Sequence, residues 1–90
     1  MTVGELRDRC KSIPDLRVKW DALVDSALLL HAQEARRGAR LQSTGNDVGD
    51  GIDATRLAYA GAYAALNVAV RQAGLEMPEF ELYQICELYR

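Results

Sequence analysis

The chain has 90 residues and a formal net charge of −2; 49% of its residues are hydrophobic and 27% are charged. Length and composition predict a single domain over residues 1–90, which the segments described below indicate to be helical. They exclude a disordered tail, a collagen-like chain and a multidomain enzyme. Because the chain is not basic overall, composition gives no general reason to expect nucleic-acid binding. Arginine far outnumbers lysine and alanine is abundant, which we interpret as the imprint of a GC-rich bacterial or phage genome.

The N-terminal residues are charged and do not have the pattern of a secretory signal. The longest apolar region, residues 57–70, is interrupted by Asn67 and is too short to span a bilayer. Cys10 and Cys86 lie near opposite ends of the chain, without the spacing of a zinc site. We therefore expect a cytoplasmic protein with no membrane contact. The two cysteines are either separate thiols or a disulfide between the first and last helices.

Charge is distributed unevenly along the chain. Residues 1–40 contain eight Lys or Arg and six Asp or Glu, whereas residues 41–90 contain three and seven. The first part therefore carries +2 and the second −4. This division favours association with a charged partner or with a second copy, unless packing mixes the two halves.

The first predicted helix covers residues 3–11. Thr2 and Glu5 have the spacing of a capping box, with Thr2 as the N-cap residue. Leu6 and Cys10 are four residues apart and share one face, which we expect to be buried.

The second predicted helix covers residues 14–41, with Ser12 as its cap and Pro14 in its first turn. Its core positions follow the 4-3-4-3 spacing of a helix packed along another helix: Leu16, Trp20, Leu23, Ala27 and Leu30. Three residues widen this seam: Val24, Leu28 and Ala35. Three apolar residues lie on the opposite side, where either another helix or an interface must cover them: Val18, Ala22 and Leu29.

A loop is predicted at residues 42–52, and Asp50 or Asp53 caps a third helix over residues 53–73 that ends at Gly74. Small side chains form a stripe that permits close approach to the second helix: Ala54, Ala58, Gly61, Ala62, Ala65 and Ala69. The opposite side carries larger residues: Tyr59, Tyr63, Leu66 and Val70. A helix that is apolar nearly all round is expected to be central or shared with another chain.

Pro78 is predicted to start a fourth helix over residues 78–90, with Glu79 and Glu81 in its first turn. Its core stripe is Leu82, Ile85, Cys86 and Tyr89. The predicted fold is all-α, a small up-down helical bundle of three main helices plus a short N-terminal helix.

His31 and Glu34 are spaced as two metal ligands on one helix face would be. The alternative is a partly buried histidine that is hydrogen-bonded to Glu34. Further ligands are not evident, and the acidic residues near position 50 do not fit a calcium-binding or phosphate-binding loop. We therefore expect no catalytic residue, no bound metal and no cofactor, and we keep a helical metal-dependent enzyme at His31 and Glu34 as the third hypothesis.

Arg36, Arg37 and Arg40 form the one basic cluster. Their place near the end of a helix is explained by the helix dipole alone. Phosphate or acidic-partner recognition is the functional alternative. A nucleic-acid-binding accessory protein that uses these three arginines is therefore the second hypothesis, although nucleic acid is not the partner we expect.

Tyr59 and Tyr63 are four residues apart, with Arg56 close by. Aromatic residues beside arginine are typical of interaction hot spots, although the same tyrosines could be ordinary core residues. Together with the outward Leu29, they favour the leading hypothesis. It is a non-catalytic protein–protein interaction module that regulates, inhibits or scaffolds a larger bacterial or phage protein and also self-associates, as a homodimer or another homo-oligomer.

Overall fold

The computed structural model describes residues 2–44 and 52–89, with side chains described for residues 2–36 and 52–89. Four helices and no strand occur in these residues: α1 (Val3–Ser12), α2 (Pro14–Thr44), α3 (Ile52–Gln72) and α4 (Leu82–Leu88). The expectation of an all-α protein is confirmed. Most of the predicted loop, including Asp50, lies outside the described residues.

Thr2 is the N-cap residue of α1, as predicted, but the Glu5 carboxylate accepts from the Thr2 hydroxyl at 3.4 Å and not from the Thr2 backbone N–H as in a capping box. The hydroxyl oxygen of Thr2 accepts a hydrogen bond from the backbone N–H of Glu5 at 3.2 Å, which satisfies one of the unpaired N–H groups of the first turn. Leu6 and Cys10 are both fully buried, as predicted from their spacing.

Ser12 does not cap α2. It is the last residue of α1, and its hydroxyl donates to the backbone carbonyl of Asp8 at 3.1 Å. The hydroxyl group is thus engaged one turn back in α1. The two helices are separated by Ile13 alone, whose carbonyl accepts the N–H of Arg17.

The 31 residues of α2 give a rod about 46 Å long at 1.5 Å per residue, close to the 49 Å long dimension of the molecule. All five predicted seam positions are buried: Leu16, Trp20, Leu23, Ala27 and Leu30. Val24 is also buried, but Leu28 and Ala35 are exposed. The buried face is therefore narrower than predicted on that side.

α2 contacts each of the other three helices. The start of α2 lies beside the end of α3, since Leu16 and Lys19 line the same cleft as Ala69 and Ala73. Towards the other end, the Glu34 carboxylate lies 3.6 Å from the guanidinium of Arg56, near the start of α3. α2 and α3 therefore run in opposite directions.

The small-residue stripe of α3 is predicted to pack against α2, but a different side of α3 is buried. Its buried residues are Ile52, Thr55, Leu66 and Val70, with Tyr59, Ala62, Tyr63 and Ala69 half-buried beside them. Ala54, Ala58, Gly61 and Ala65 are exposed, and a Cβ atom added at Gly61 would meet nothing within 4 Å. Larger side chains bury more apolar surface, so the helix turns them inward and leaves most of the stripe outside.

The end of α3 is a Schellman motif. Gly74 has φ of +80°, its N–H donates to the carbonyl of Arg71, and the N–H of Leu75 donates to that of Val70. The predicted stop at Gly74 therefore has its usual physical cause. At the other end, Asp53 lies inside the first turn and is not the cap residue.

α4 begins at Leu82 instead of Pro78. Its N-cap residue is Glu81, whose backbone N–H donates to the side-chain oxygen of Gln84 at 2.7 Å. Glu79 and Glu81 consequently precede the helix and do not lie in its first turn. Ile85 is fully buried, Leu82 and Cys86 are half-buried, and Tyr89 follows the helix.

No disulfide joins Cys10 and Cys86, so the alternative of a bridge between the first and last helices is wrong. Cys10 is buried, and the thiol of half-buried Cys86 lies 3.9 Å from the carbonyl oxygen of Ala27. Within the described part of the chain, no helix has the length and apolar character that crossing a membrane requires.

Candidate functional site

A surface pocket of about 420 Å³ lies between α3 and the segment that leads into α4. We refer to it as the aromatic pocket. Its lining residues come from one turn of α3 and from the chain just before and at the start of α4: Tyr59, Ala60, Tyr63, Phe80, Glu81 and Leu82.

Three rings form the aromatic wall of the pocket. The ring centroids of Tyr59 and Tyr63 are 6.4 Å apart at an interplanar angle of 46°. Those of Tyr63 and Phe80 are 5.4 Å apart at 52°. Both centroid distances fall in the range of roughly 4.5–7 Å at which aromatic rings interact favourably. The rings therefore hold one another in place before any ligand arrives.

The pocket exists because residues 75–81 are not helical. The chain reverses at Gly74 and then runs as extended or irregular structure to the N-cap at Glu81. This segment places Phe80 against Tyr63 on α3. A helix that began at Pro78 would have given this segment a different backbone path.

The surroundings of the pocket disfavour negative charge. Burial raises the pKa of Tyr59 above its ordinary value, and nearby Tyr63, Glu81 and Cys86 raise it further. The Tyr59 phenol is therefore neutral at physiological pH and can both donate and accept a hydrogen bond.

The segment that flanks the pocket is acidic. Residues 72–89 contain no Lys or Arg, and all four of their acidic side chains are exposed: Glu76, Glu79, Glu81 and Glu87. An apolar pocket beside several carboxylates is suited to hold an apolar, aromatic or cationic side chain.

Of the residues predicted to bind a partner, Tyr59 and Tyr63 are brought together as expected from their spacing. Arg56 does not line the pocket with them. Its guanidinium lies 3.6 Å from Glu34 on α2 and 3.6 Å from Asp53 on α3. Because the three side chains are between 42% and 92% exposed, these pairs contribute little to stability.

Leu29 lies elsewhere, on the outer side of α2. Its side chain is 49% exposed and that of Val18 is 70% exposed, as their place opposite the core seam predicts. Ala22 is exposed as well. The structure therefore separates Leu29 from the aromatic pocket, which it does not line.

The basic cluster falls at the limit of the described side chains. Arg36 is exposed near the end of α2. The side chains of Arg37 and Arg40 lie outside the described residues, so their role in binding phosphate or an acidic partner stays a prediction.

His31 is not the partly buried partner of Glu34 that one of the two alternatives predicts. It is exposed, while the carboxylate of Glu34 faces Arg56. The His31–Glu34 pair is therefore replaced by an ion pair between helices. Among the described residues, no group of three or more His, Cys, Asp or Glu is placed to hold a metal ion.

Sequence reasoning missed half of the pocket. The predicted fourth helix includes Phe80, Glu81 and Leu82, and it gives Phe80 no specific role. Glu81 and Gln84 carry the spacing of a capping box, and this signal could have placed the helix start at Leu82. The approach of Phe80 to Tyr63 has no comparable local signal, because it depends on the path of the chain after Gly74.

Neither a protein-family model, nor a curated protein, nor a solved structure matches this chain.

Proposed function

We propose that this protein is a non-catalytic protein–protein interaction module. In this proposal it regulates, inhibits or scaffolds a larger bacterial or phage protein and binds it through the aromatic pocket. The single observation that carries the proposal is the surface pocket of about 420 Å³ whose wall is built from Tyr59, Tyr63 and Phe80.

The chemistry of the lining supports binding of a protein segment. Tyrosine supplies a large contact area at low conformational entropy cost, and binding hot spots are enriched in it. Since Tyr59, Tyr63 and Phe80 already pack on one another, binding loses little further side-chain entropy at these residues.

The acidic segment beside the pocket favours a partner surface of positive charge. Glu79 and Glu81 flank Phe80 directly and are exposed. Charges at the rim of an interface mainly accelerate association and select partners. A partner segment with an apolar or aromatic anchor and neighbouring Lys or Arg residues fits both features.

The proposal also includes self-association. We take the four helices as a small up-down bundle, in which the outward sides of α2 and α3 keep apolar residues in solvent. Leu29 on α2 and Leu57 on α3 are 49% and 75% exposed. Exposed apolar side chains of this kind are a common feature of protein interfaces.

Comparative capture with three forms of the protein tests the partner-binding proposal. Tyr63→Ala removes the central ring of the pocket, whereas Tyr83→Ala removes an exposed tyrosine that does not line it. Proteins retained from a lysate of the source organism would be quantified for wild type and both variants. We expect a specific partner to be retained by wild type and Tyr83→Ala, and to fall by about 10-fold or more with Tyr63→Ala.

The folding control uses circular dichroism and thermal unfolding of each form. If Tyr63→Ala unfolds, Ala60→Gln replaces it, because Ala60 is exposed on the pocket rim and glutamine is a good helix former. Equal retention of every protein by wild type and the folded pocket variants would contradict the proposal.

A further inference from the structure

The outer side of α3 is an apolar helix face that no other described element covers. Leu57 is 75% exposed and Val68 is 55% exposed, and Gly61 and Ala64 lie exposed between them. We refer to these four residues as the outer α3 face. Their 4-3-4 spacing places them in one line along the helix, as in a seam packed against a second helix.

The outer α3 face is complementary to itself when two copies run in opposite directions. An antiparallel pair centred between positions 62 and 63 places Leu57 opposite the partner's Val68. The same register places Gly61 opposite the partner's Ala64. Large side chains then meet at both ends of the contact, and small ones let the two backbones approach closely at its centre.

Charge at the two ends of α3 selects this direction. Asp53 lies in the first turn and Arg71 in the last turn, and both are exposed. Their separation of 18 residues is five helical turns, so both lie on the same flank of the face. The antiparallel register places each Asp53 beside the partner's Arg71, whereas a parallel pair would place both Asp53 side chains at one end and both Arg71 side chains at the other.

Both side chains are already oriented at these ends. The Nε of Arg71 donates to the side-chain oxygen of Asn67 at 3.0 Å, which keeps the guanidinium near the last turn of α3. The carboxylate of Asp53 lies 3.6 Å from Arg56, and its side chain is 92% exposed. It therefore remains accessible to a second cation.

We propose that the outer α3 face is a two-fold interface at which α3 of one copy packs antiparallel on α3 of a second copy. The inference rests on the self-association included in the proposed function, and it names the surface and the register. It is independent of the aromatic pocket, whose lining residues are not those of the face.

Sedimentation equilibrium over a range of concentrations tests the surface. Leu57→Asp introduces a charge at the more exposed of the two large apolar residues of the face, and we expect it to weaken dimerisation at least about 10-fold. Leu29→Asp tests the alternative interface on the outer side of α2, where Leu29 is also exposed. Tyr83→Asp is the control: it introduces the same charge on α4, where Tyr83 is 57% exposed, and should leave the dimerisation constant unchanged.

Cysteine cross-linking tests the register in a Cys86→Ala background. Leu57→Cys combined with Val68→Cys should give a disulfide-linked dimer under mild oxidation. Leu57→Cys alone should not, because the antiparallel register separates the two copies of position 57 by about 16 Å along the helix axis. Efficient cross-linking of the single variant would overturn the antiparallel register.

The charge pairs provide an independent test. Asp53→Arg and Arg71→Asp should each weaken dimerisation, and the double variant should restore it, because the exchange recreates both pairs. Circular dichroism checks that each variant remains helical. Failure of the double variant to recover would contradict the pairing of Asp53 with the partner's Arg71.

The outcomes separate this inference from the proposed function. A chain that stays monomeric at millimolar concentration overturns both the inference and the self-association. A dimer that Leu29→Asp dissociates and Leu57→Asp does not would overturn the inference alone and place the interface on α2. Loss of a captured protein with Leu57→Asp, in a chain that stays monomeric, would show that a different protein covers the face.

Discussion

Cys10 shows how one buried side chain makes stability depend on pH. Its thiol is fully buried in the core beside Leu6 and Trp20, and burial raises its pKa from 9.0 to about 11. The cause is the cost of holding a thiolate in an apolar environment. Cys10 is thus a packing residue with an unreactive thiol.

We predict that the free energy of unfolding decreases between pH 9 and pH 11 through Cys10. Below pH 9 the thiol is protonated in both the folded and the unfolded chain, so it contributes no pH dependence. Above pH 9 only the unfolded chain releases the proton, which favours unfolding by an amount on the order of 2–3 kcal/mol at high pH.

Urea unfolding of wild type and Cys10→Ala at pH 7, 9 and 11 checks this prediction. Cys10→Ala should lower stability at every pH because it leaves a cavity, but its decline towards pH 11 should be shallower. Tyr59, whose pKa is also raised, titrates in both proteins and cancels in the comparison. Parallel pH profiles would show that Cys10 is not responsible.

At the scale of the element, two glycines have opposite roles: Gly61 lies inside α3 and Gly74 follows its last turn. Gly74 ends the helix with φ of +80°, a conformation that L-residues with a Cβ atom adopt only at a cost. Gly61 lies inside the helix with ordinary backbone angles and open space around its Cβ position. One glycine is required by the backbone and the other is not.

We predict that alanine has opposite effects at these two positions. Gly74→Ala should lower the free energy of unfolding by about 1–2 kcal/mol through backbone strain. Gly61→Ala should raise it by about 0.5–1 kcal/mol, because glycine is a poor helix former. Chemical denaturation of both variants at low micromolar concentration measures the difference, and equal signs would contradict this account of the helix.

Capping chemistry also decides where α4 begins. Pro78 is compatible with a helix start, yet the chain remains non-helical until Glu81, where the side chain of Gln84 accepts the backbone N–H. A proline permits a first turn without requiring one, whereas the capping interaction satisfies a specific N–H group. Residues 78–81 are therefore outside the helix. They include Phe80, which lines the aromatic pocket.

At the scale of the whole molecule, the two ends of the chain are joined through α2. The indole N–H of buried Trp20 donates to the hydroxyl of Tyr89 at 2.9 Å. α1 and α4 also contact each other as well as α2. Tyr89, which follows α4, is therefore hydrogen-bonded to a core residue near the beginning of α2.

We predict that Tyr89→Phe lowers the free energy of unfolding by about 1–2 kcal/mol, because it leaves the buried Trp20 N–H without its acceptor. Tyr83→Phe is the matched control, since Tyr83 is 57% exposed and its variant should stay within about 0.5 kcal/mol of wild type. Trp20 fluorescence during urea unfolding measures both. Equal stability of the two variants would mean that water replaces the Tyr89 hydroxyl.

Much of the secondary structure and burial of this protein can be predicted from local sequence patterns. The cap at Thr2, the seam from Leu16 to Leu30 and the stop at Gly74 are each confirmed, because each depends on residues within one or two turns of one another. Helical periodicity also places Val18 and Leu29 outside, and it brings Tyr59 and Tyr63 together on one face of α3.

Tertiary structure decides the rest. Local pattern offers α3 two apolar sides, and only packing against α2 selects the side with Tyr63, Leu66 and Val70 and leaves Leu57 and Val68 in solvent. The contact of Phe80 with Tyr63 likewise joins residues 17 positions apart across a reversal of the chain. Local sequence determines which faces of each helix are apolar, but the choice between them depends on the total area that the assembled helices can bury.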